Sequence, residues 1–228
     1  MNEDSRAALQ AVRERIEQAC RRVDRDPESV RLVAVSKTFP AERVREFLRF
    51  EQRLFGENRV QEALAKIPEV GRGAVWHLIG PLQRNKARHA VGVFELIHGV
   101  DNRKLAAELD RRAAAADVRQ RILIQLNLAD ESTKSGVGET ELWPLLHEIA
   151  EMRHLDLQGL MTIPPQVERA EESRPWFVRL RELRERAAER LGRALPELSM
   201  GMTDDFEIAV EEGATLVRVG RAIFGERR

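Results

Sequence analysis

A (β/α)8 TIM barrel with an additional N-terminal helix is the fold class that this 228-residue α/β sequence predicts. Three observations carry it. Eight short apolar runs rich in β-branched residues alternate with longer amphipathic stretches, the pattern of strand–helix units that build a parallel sheet. Glycines and polar residues gather just after those runs, on the face where such barrels assemble their sites. Eight units in this length also match a barrel of roughly 250 residues better than an open doubly wound sheet, which more often has about five to seven strands and a nucleotide fingerprint.

In chain order, Leu9, Val12, Ile16, Ala19 and Val23 recur at helical spacing and predict the leading helix. The first strand is expected at 32–36, a helix at 41–50, a strand at 53–56 and a helix at 58–66. Strands at 75–79 and 93–97 flank a short helix at 84–90, and a helix at 102–115 leads to a strand at 121–127. Next come a helix at 139–150, a strand at 155–161, a helix at 169–191 and a strand at 196–199. Leu180, Leu183, Ala187 and Leu191 give the 169–191 segment an apolar stripe, so its arginine and glutamate side faces solvent. A helix at 204–212 starts at Asp204 with Glu207 three residues on, in capping-box spacing. A strand at 215–219 follows, and a final short helix begins near Ala222.

A hydrophobic content of 43% suffices for one substantial core, and no low-complexity linker divides the chain, so residues 1–228 are expected to form one domain. Thirty-eight basic residues balance 38 acidic ones, which leaves no global field to draw nucleic acid or an anionic membrane. Residues 1–6 lack the basic and apolar regions of a signal peptide, and no apolar stretch reaches the ~20 residues of a membrane span. A cytoplasmic location is therefore expected. The single cysteine, Cys20, excludes an internal disulfide framework and is expected on a helix face. His77, His89, His98, His147 and His154 lack ligand spacing with carboxylates, so no metal is expected.

Lys37 closes the apolar run Leu32-Val33-Ala34-Val35-Ser36. A lysine at the rim of an apolar core either snorkels to water or, desolvated, loses its proton and becomes an amine able to form an imine with an aldehyde. Asn58, His77, Asp101, Asn127, Thr162, Ser199 and Arg218 each fall near the end of another expected strand and would complete a polar rim with Lys37. Ser199-Met200-Gly201-Met202-Thr203 follows the seventh strand, and Arg218-Val219-Gly220-Arg221-Ala222 spans the end of the eighth. Barrels often hold phosphate in those two loops, through backbone N–H groups and a helix start. A phosphate cup together with an imine-forming lysine suggests pyridoxal 5′-phosphate.

The sequence resembles the pyridoxal phosphate homeostasis proteins, also called proline synthase co-transcribed homologues, over nearly its whole length. The likeness rests on Val35-Ser36-Lys37-Thr38, on Phe55-Gly56-Glu57-Asn58-Arg59-Val60-Gln61-Glu62 and on the run from Trp76 to Lys86. It continues through His98-Gly99-Val100-Asp101, Gly159-Leu160-Met161-Thr162-Ile163, the run from Leu198 to Phe206 and the run from Val217 to Gly225. The resemblance implies a barrel similar to the cofactor domain of alanine racemases, with Lys37 carrying pyridoxal 5′-phosphate as a Schiff base. It further implies that Ser199, Gly201, Met202, Gly220 and Arg221 surround the phosphate, largely through backbone donors. Asn58 and Met161 would flank the ring, and Arg218 would face its nitrogen. An arginine stays protonated and only donates, so that nitrogen would accept and remain unprotonated. The family sometimes has threonine at the place of Arg221 and serine at that of Thr203.

What the resemblance implies about function is a carrier that keeps the cofactor in homeostasis or supplies it to apoenzymes, with no established catalytic residue. The chain has no tyrosine, whereas racemases of the related fold commonly use one as a second base opposite the lysine, delivered with an added β domain from the partner subunit. Without that domain a monomer is expected. Three readings stay open: the carrier, a fold-type III pyridoxal phosphate enzyme such as an amino acid racemase with His77 or another rim residue as a substitute base, and an aldolase-type imine with a phosphorylated sugar. Lys134, in Glu131-Ser132-Thr133-Lys134-Ser135-Gly136, is either a second, transient cofactor site or a solvated loop lysine.

Overall fold

The computed structural model describes residues 3–131 and 134–226. Eight parallel strands close into a barrel in sequence order, with the last hydrogen-bonded to the first. They are β1 (Arg31–Val35), β2 (Leu54–Glu57), β3 (Val75–Leu78), β4 (Leu96–Val100), β5 (Gln120–Leu126), β6 (Leu155–Thr162), β7 (Glu197–Ser199) and β8 (Leu216–Val219). Helices α1 (Glu3–Arg22), α2 (Ala41–Leu48), α3 (Val60–Val70), α4 (Ala87–Ala90) and α5 (Arg103–Ala115) lie in the first half. Helices α6 (Glu139–Ala150), α7 (Arg174–Leu191), α8 (Phe206–Glu211) and α9 (Arg221–Phe224) complete the shell.

Alternation along each strand divides the molecule into two apolar layers. Val33, Val35, Ile79, Leu96, Leu123, Met161 and Leu216 form the cluster inside the barrel. Their chain neighbours, such as Ala34, Leu78, Ile97, Ile122, Leu160 and Val217, join the larger cluster beneath the helices. Phe47, Phe55, Phe177 and Phe206 are fully buried in that outer layer, where burying a side chain of this kind contributes about 1.5–3 kcal/mol.

Three local expectations are corrected. The fourth strand runs over Leu96–Val100 instead of 93–97, because Val93 and Phe94 donate their N–H groups to Ala90 O and close the turn after α4. That shift carries His98 into the barrel. The capping box at Asp204 does not form, and α8 starts at Phe206. Asp205 instead reaches back, accepting the Met202 N–H at 2.7 Å and the Ser173 hydroxyl at 3.1 Å, while Glu207 pairs with Arg15 of α1 at 2.8 Å. Finally, α1 ends at Arg22 and leaves Val23 43% exposed, so Cys20 takes the last buried place on its inner face. The chain turns there through Asp24, in the left-handed region at φ 52°.

Candidate functional site

A cavity of about 790 Å3 opens over the C-terminal ends of the strands, within the range of roughly 300–1,000 Å3 usual for small-molecule sites. Lys37, Asn58, Met202, Arg218, Gly220 and Arg221 all line it, from four separate strand ends. Ser199, Gly201 and Met161 do not. Met161 is fully buried within the barrel, in the same inner cluster as Val35 and Ile79, and these two reach the cavity wall. Ser199 lies under the floor, bonded to Arg218, and Gly201 shapes the loop from behind.

Lys37 is half-buried on the first residues after β1, and its chain neighbours are tied down on both sides. Ser36 donates its hydroxyl to Glu57 Oε1 at 2.7 Å and its carbonyl accepts from Lys66 Nζ at 2.8 Å. Thr38, in the left-handed region at φ 69°, donates its N–H to the Glu62 carboxylate. Lys66 Nζ also lies 2.6 Å from Glu57 Oε1, in a pair that is 6% and 0% exposed. Burial pushes the Glu57 carboxyl up from its ordinary value, against the pull of Lys66 and Ser36. The cluster fixes the backbone that carries Lys37, and the sequence reading missed it because Glu57 and Lys66 face outward from the barrel, between β2 and α3.

Arg218 is the floor. It is 3% exposed, donates from Nη1 to Ser199 Oγ at 2.6 Å and from Nη2 to the Thr162 carbonyl at 2.9 Å, and has no ion-paired carboxylate among the described residues. Desolvation lowers it to about 10, with Asp205 opposing, so it is still a cation at neutral pH. Below it the polar contacts continue. Ser199 Oγ lies 2.8 Å from His98 Nδ1, and His98 Nε2 lies 2.9 Å from His77 Nδ1. Burial holds both imidazoles neutral, with His77 down to about 3 and His98 well below its ordinary value. His77 is therefore no rim residue, contrary to expectation, but an interior one on β3, fully buried.

The two expected phosphate loops meet at one side of the cavity, where Met202, Thr203, Gly220 and Arg221 are wall residues. Gly201 makes the first loop possible, since its φ is 86° and a Cβ there would sit 2.5 Å from Ala209 Cβ. The Met202 N–H is donated to Asp205, so it is not the donor expected from the sequence. Arg221 and Ala222 open α9 ahead of its first turn bonds, which Ile223 and Phe224 donate to Gly220 O. Asp204 pairs with Arg221 across the mouth. On the far wall, Gly80 lets the chain of Asn58 approach, as a Cβ would lie 2.4 Å from Asn58 O. Gln125 and Lys134 are there too, Lys134 bonded to Glu131 Oε1 at 2.6 Å and the Pro164 carbonyl at 3.0 Å. Gln125 was not anticipated, although its place two residues beyond inward-facing Leu123 marks it. Ser132 and Thr133 of the same loop lie outside the described residues. Elsewhere among the described residues no helix is long and apolar enough to cross a membrane.

The wall thus offers four cationic side chains, Lys37, Lys134, Arg218 and Arg221, against the carboxylates of Asp204 and Glu226. Such a set fits an anion joined to a carbonyl group and a hydrogen-bond acceptor. Residues 7–228 match the family described as alanine racemase, N-terminal domain. The chain is 44% identical over 221 residues to the pyridoxal phosphate homeostasis protein of Aquifex aeolicus, covering 96% of this chain and 97% of that one. It is 43% identical over 215 residues to the protein of that name from Pseudomonas aeruginosa, covering 93% and 91%. Among solved structures, PipY of Synechococcus elongatus PCC7942 with PLP bound superposes with a TM-score of 0.87 at 37% identity, covering 97% of this chain and all of that one. An alanine racemase from Clostridium difficile 630 shares the fold alone, at TM-score 0.74 and 13% identity, with this chain spanning 57% of its length.

Proposed function

Because the chain belongs to the pyridoxal phosphate homeostasis proteins, within the alanine racemase N-terminal domain family, we propose that it is a carrier that holds pyridoxal 5′-phosphate through Lys37 and takes part in its intracellular homeostasis or supply. Residues 1–228 are read as one binding domain. The observation that carries the reading is Arg218, a desolvated cation with only neutral partners on the floor of a cavity whose wall bears Lys37. A buried charge without a counter-ion is costly, and a ligand with an electron-rich acceptor relieves that cost.

Pyridoxal phosphate supplies an aldehyde, a ring nitrogen able to accept a hydrogen bond, and a phosphate dianion. Lys37 would hold the group through its amine, since an aldehyde condenses reversibly with an amine with loss of water. Arg218 would donate to the ring nitrogen. Asn58 borders the ring on one wall, and Met161 backs the apolar floor from within the barrel. The backbone of the Gly220–Arg221 segment and the Arg221 guanidinium would take the phosphate, with Gly201 shaping the loop that faces them. Since Arg218 only donates, the ring nitrogen stays unprotonated and is a weak electron sink, which suits storage over carbanion chemistry.

An absorption spectrum tests the reading. Wild-type protein with pyridoxal phosphate should give a borohydride-reducible imine band and an adduct of cofactor mass on Lys37, and Lys37→Ala should give neither. Persistence of both in Lys37→Ala moves the link to another lysine, and no band in wild type ends the proposal and leaves the aldolase-type imine. Lys134, a second lysine of the cavity wall, favours one second reading, a pyridoxal phosphate enzyme with a base besides Lys37. His77 is buried away from the cavity and does not fill that role. Cα–deuterium exchange into any amino acid at turnover rates would replace the carrier reading with the enzyme.

A further inference from the structure

Arg218, Ser199, His98 and His77 come from four strands, β8, β7, β4 and β3, and their hydrogen bonds of 2.6, 2.8 and 2.9 Å run from the cavity floor across the barrel interior. The direction of the protons along this line follows from donor counting. Arg218 only donates, so Ser199 Oγ accepts from it. If the Ser199 hydroxyl then donates to His98 Nδ1, His98 carries its proton on Nε2 and gives it to His77 Nδ1. His77 is left with an Nε2–H, the one buried group of the line that has no partner. The opposite direction leaves two groups unsatisfied, the hydroxyl proton of Ser199 and the bare Nε2 of His77. Buried polar groups are satisfied wherever geometry allows, which favours the first arrangement.

We propose that His77, His98 and Ser199 form a one-way hydrogen-bonded column whose role is to position the Arg218 guanidinium under the ligand. The proposal deepens the reading above, in that the group Arg218 addresses is the ring nitrogen of pyridoxal phosphate. The three are positioning residues, since none of them lines the cavity. Two anchors define the plane of the guanidinium: the Ser199 hydroxyl on Nη1 and the Thr162 carbonyl on Nη2. The carbonyl is fixed by the β5–β6 ladder, where Leu126 pairs with Thr162. The hydroxyl is a rotor, and only an acceptor at His98 Nδ1 turns its lone pair toward Arg218.

The test has a ligand-free arm and a loaded arm, both on the full chain. In 15N–1H long-range spectra of the ligand-free protein at pH 7, His77 and His98 should each show a neutral ring protonated on Nε2. A charged ring, or an Nδ1–H tautomer at His98, overturns the column. Pyridoxal phosphate is then titrated into wild type, Ser199→Ala, His98→Leu and His98→Asn. Ser199→Ala and His98→Leu should bind roughly 10- to 100-fold more weakly, as expected for misplacing one charge-assisted hydrogen bond, with a displaced imine absorption maximum. His98→Asn, whose side-chain carbonyl can accept from Ser199, should recover wild-type affinity and maximum. Unchanged affinity and maximum in both Ser199→Ala and His98→Leu overturns the positioning role. A wild type that binds no pyridoxal phosphate refutes the functional reading instead, and the imidazole spectra still decide the column.

Discussion

Lys66 Nζ stands 2.6 Å from Glu57 Oε1 in the layer between β2 and α3, and the same ammonium holds the Ser36 carbonyl one residue before Lys37. A buried pair of this kind is worth little against well-packed apolar residues, but removing one partner strands a charge.

Lys66→Met should therefore destabilise the protein by about 3–5 kcal/mol, and Lys66→Met combined with Glu57→Gln should be less destabilised than the single variant. Urea denaturation measures both. A single-variant loss under about 1 kcal/mol would mean that the pair behaves like an exposed one.

The two interior imidazoles set an acid limit on stability. His77 is depressed from 6.5 to about 3, and His98 is depressed also, chiefly by burial. A folded pKa below the unfolded one means that the unfolded chain takes up the proton first as pH falls. For His77 the contribution is complete above about 6.5 and is lost between there and about 3, at up to about 1.4 kcal/mol per pH unit, and His98 acts in the same sense. Burial raises Glu57 and Asp205 from 4.5 and 3.8, so these carboxyls act in the opposite direction and blunt the loss at the acid end. The melting temperature should fall from pH 7 to 5, and His98→Asn should flatten that fall. An equal slope in the variant would assign the effect to other groups.

Asp204 pairs with Arg221 at the mouth of the cavity, with 76% and 59% of the two side chains exposed. So exposed a pair adds at most about 1 kcal/mol to stability, yet its carboxylate stands where a phosphate would draw near. Asp204→Asn should leave the melting temperature within a degree or two, roughly, by the usual scaling of small changes in stability, while tightening pyridoxal phosphate binding several-fold by titration. Weaker binding would show that Asp204 orients Arg221 for the ligand instead of competing with it.

Gly201 holds φ at 86°, and Ala209 and the Phe206 backbone fill the space a side chain would need. Gly201→Ala should cost about 1–3 kcal/mol for the backbone conformation alone and should weaken binding through the loop that precedes α8. Equal stability and affinity in the variant would mean that the loop shifts without consequence.

The barrel was legible because its evidence is local. Alternation and strand length revealed eight strands and the helices between them, and the ordered motifs placed Lys37, Asn58, Met202, Arg218, Gly220 and Arg221 at one cavity. The misreadings share a cause. Phe94 reads as strand because it is apolar and buried, yet it belongs to a turn, and His98 reads as the exit from a strand because it is polar, yet it lies inside. Hydrophobic pattern assumes that polar means exposed, and at a site built within a core that assumption fails.

The amino-acid order by itself determined the closed sheet, the lysine at the end of its first strand and the glycines that let two loops turn. The tertiary structure alone decided which polar residues meet: Arg218 on Ser199, Ser199 on His98 from the opposite wall, and Lys66 on Glu57 behind the lysine loop. These contacts join residues from 9 to 101 positions apart. No local propensity encodes a distance across a barrel; closure of the sheet and burial of the residues inside it do.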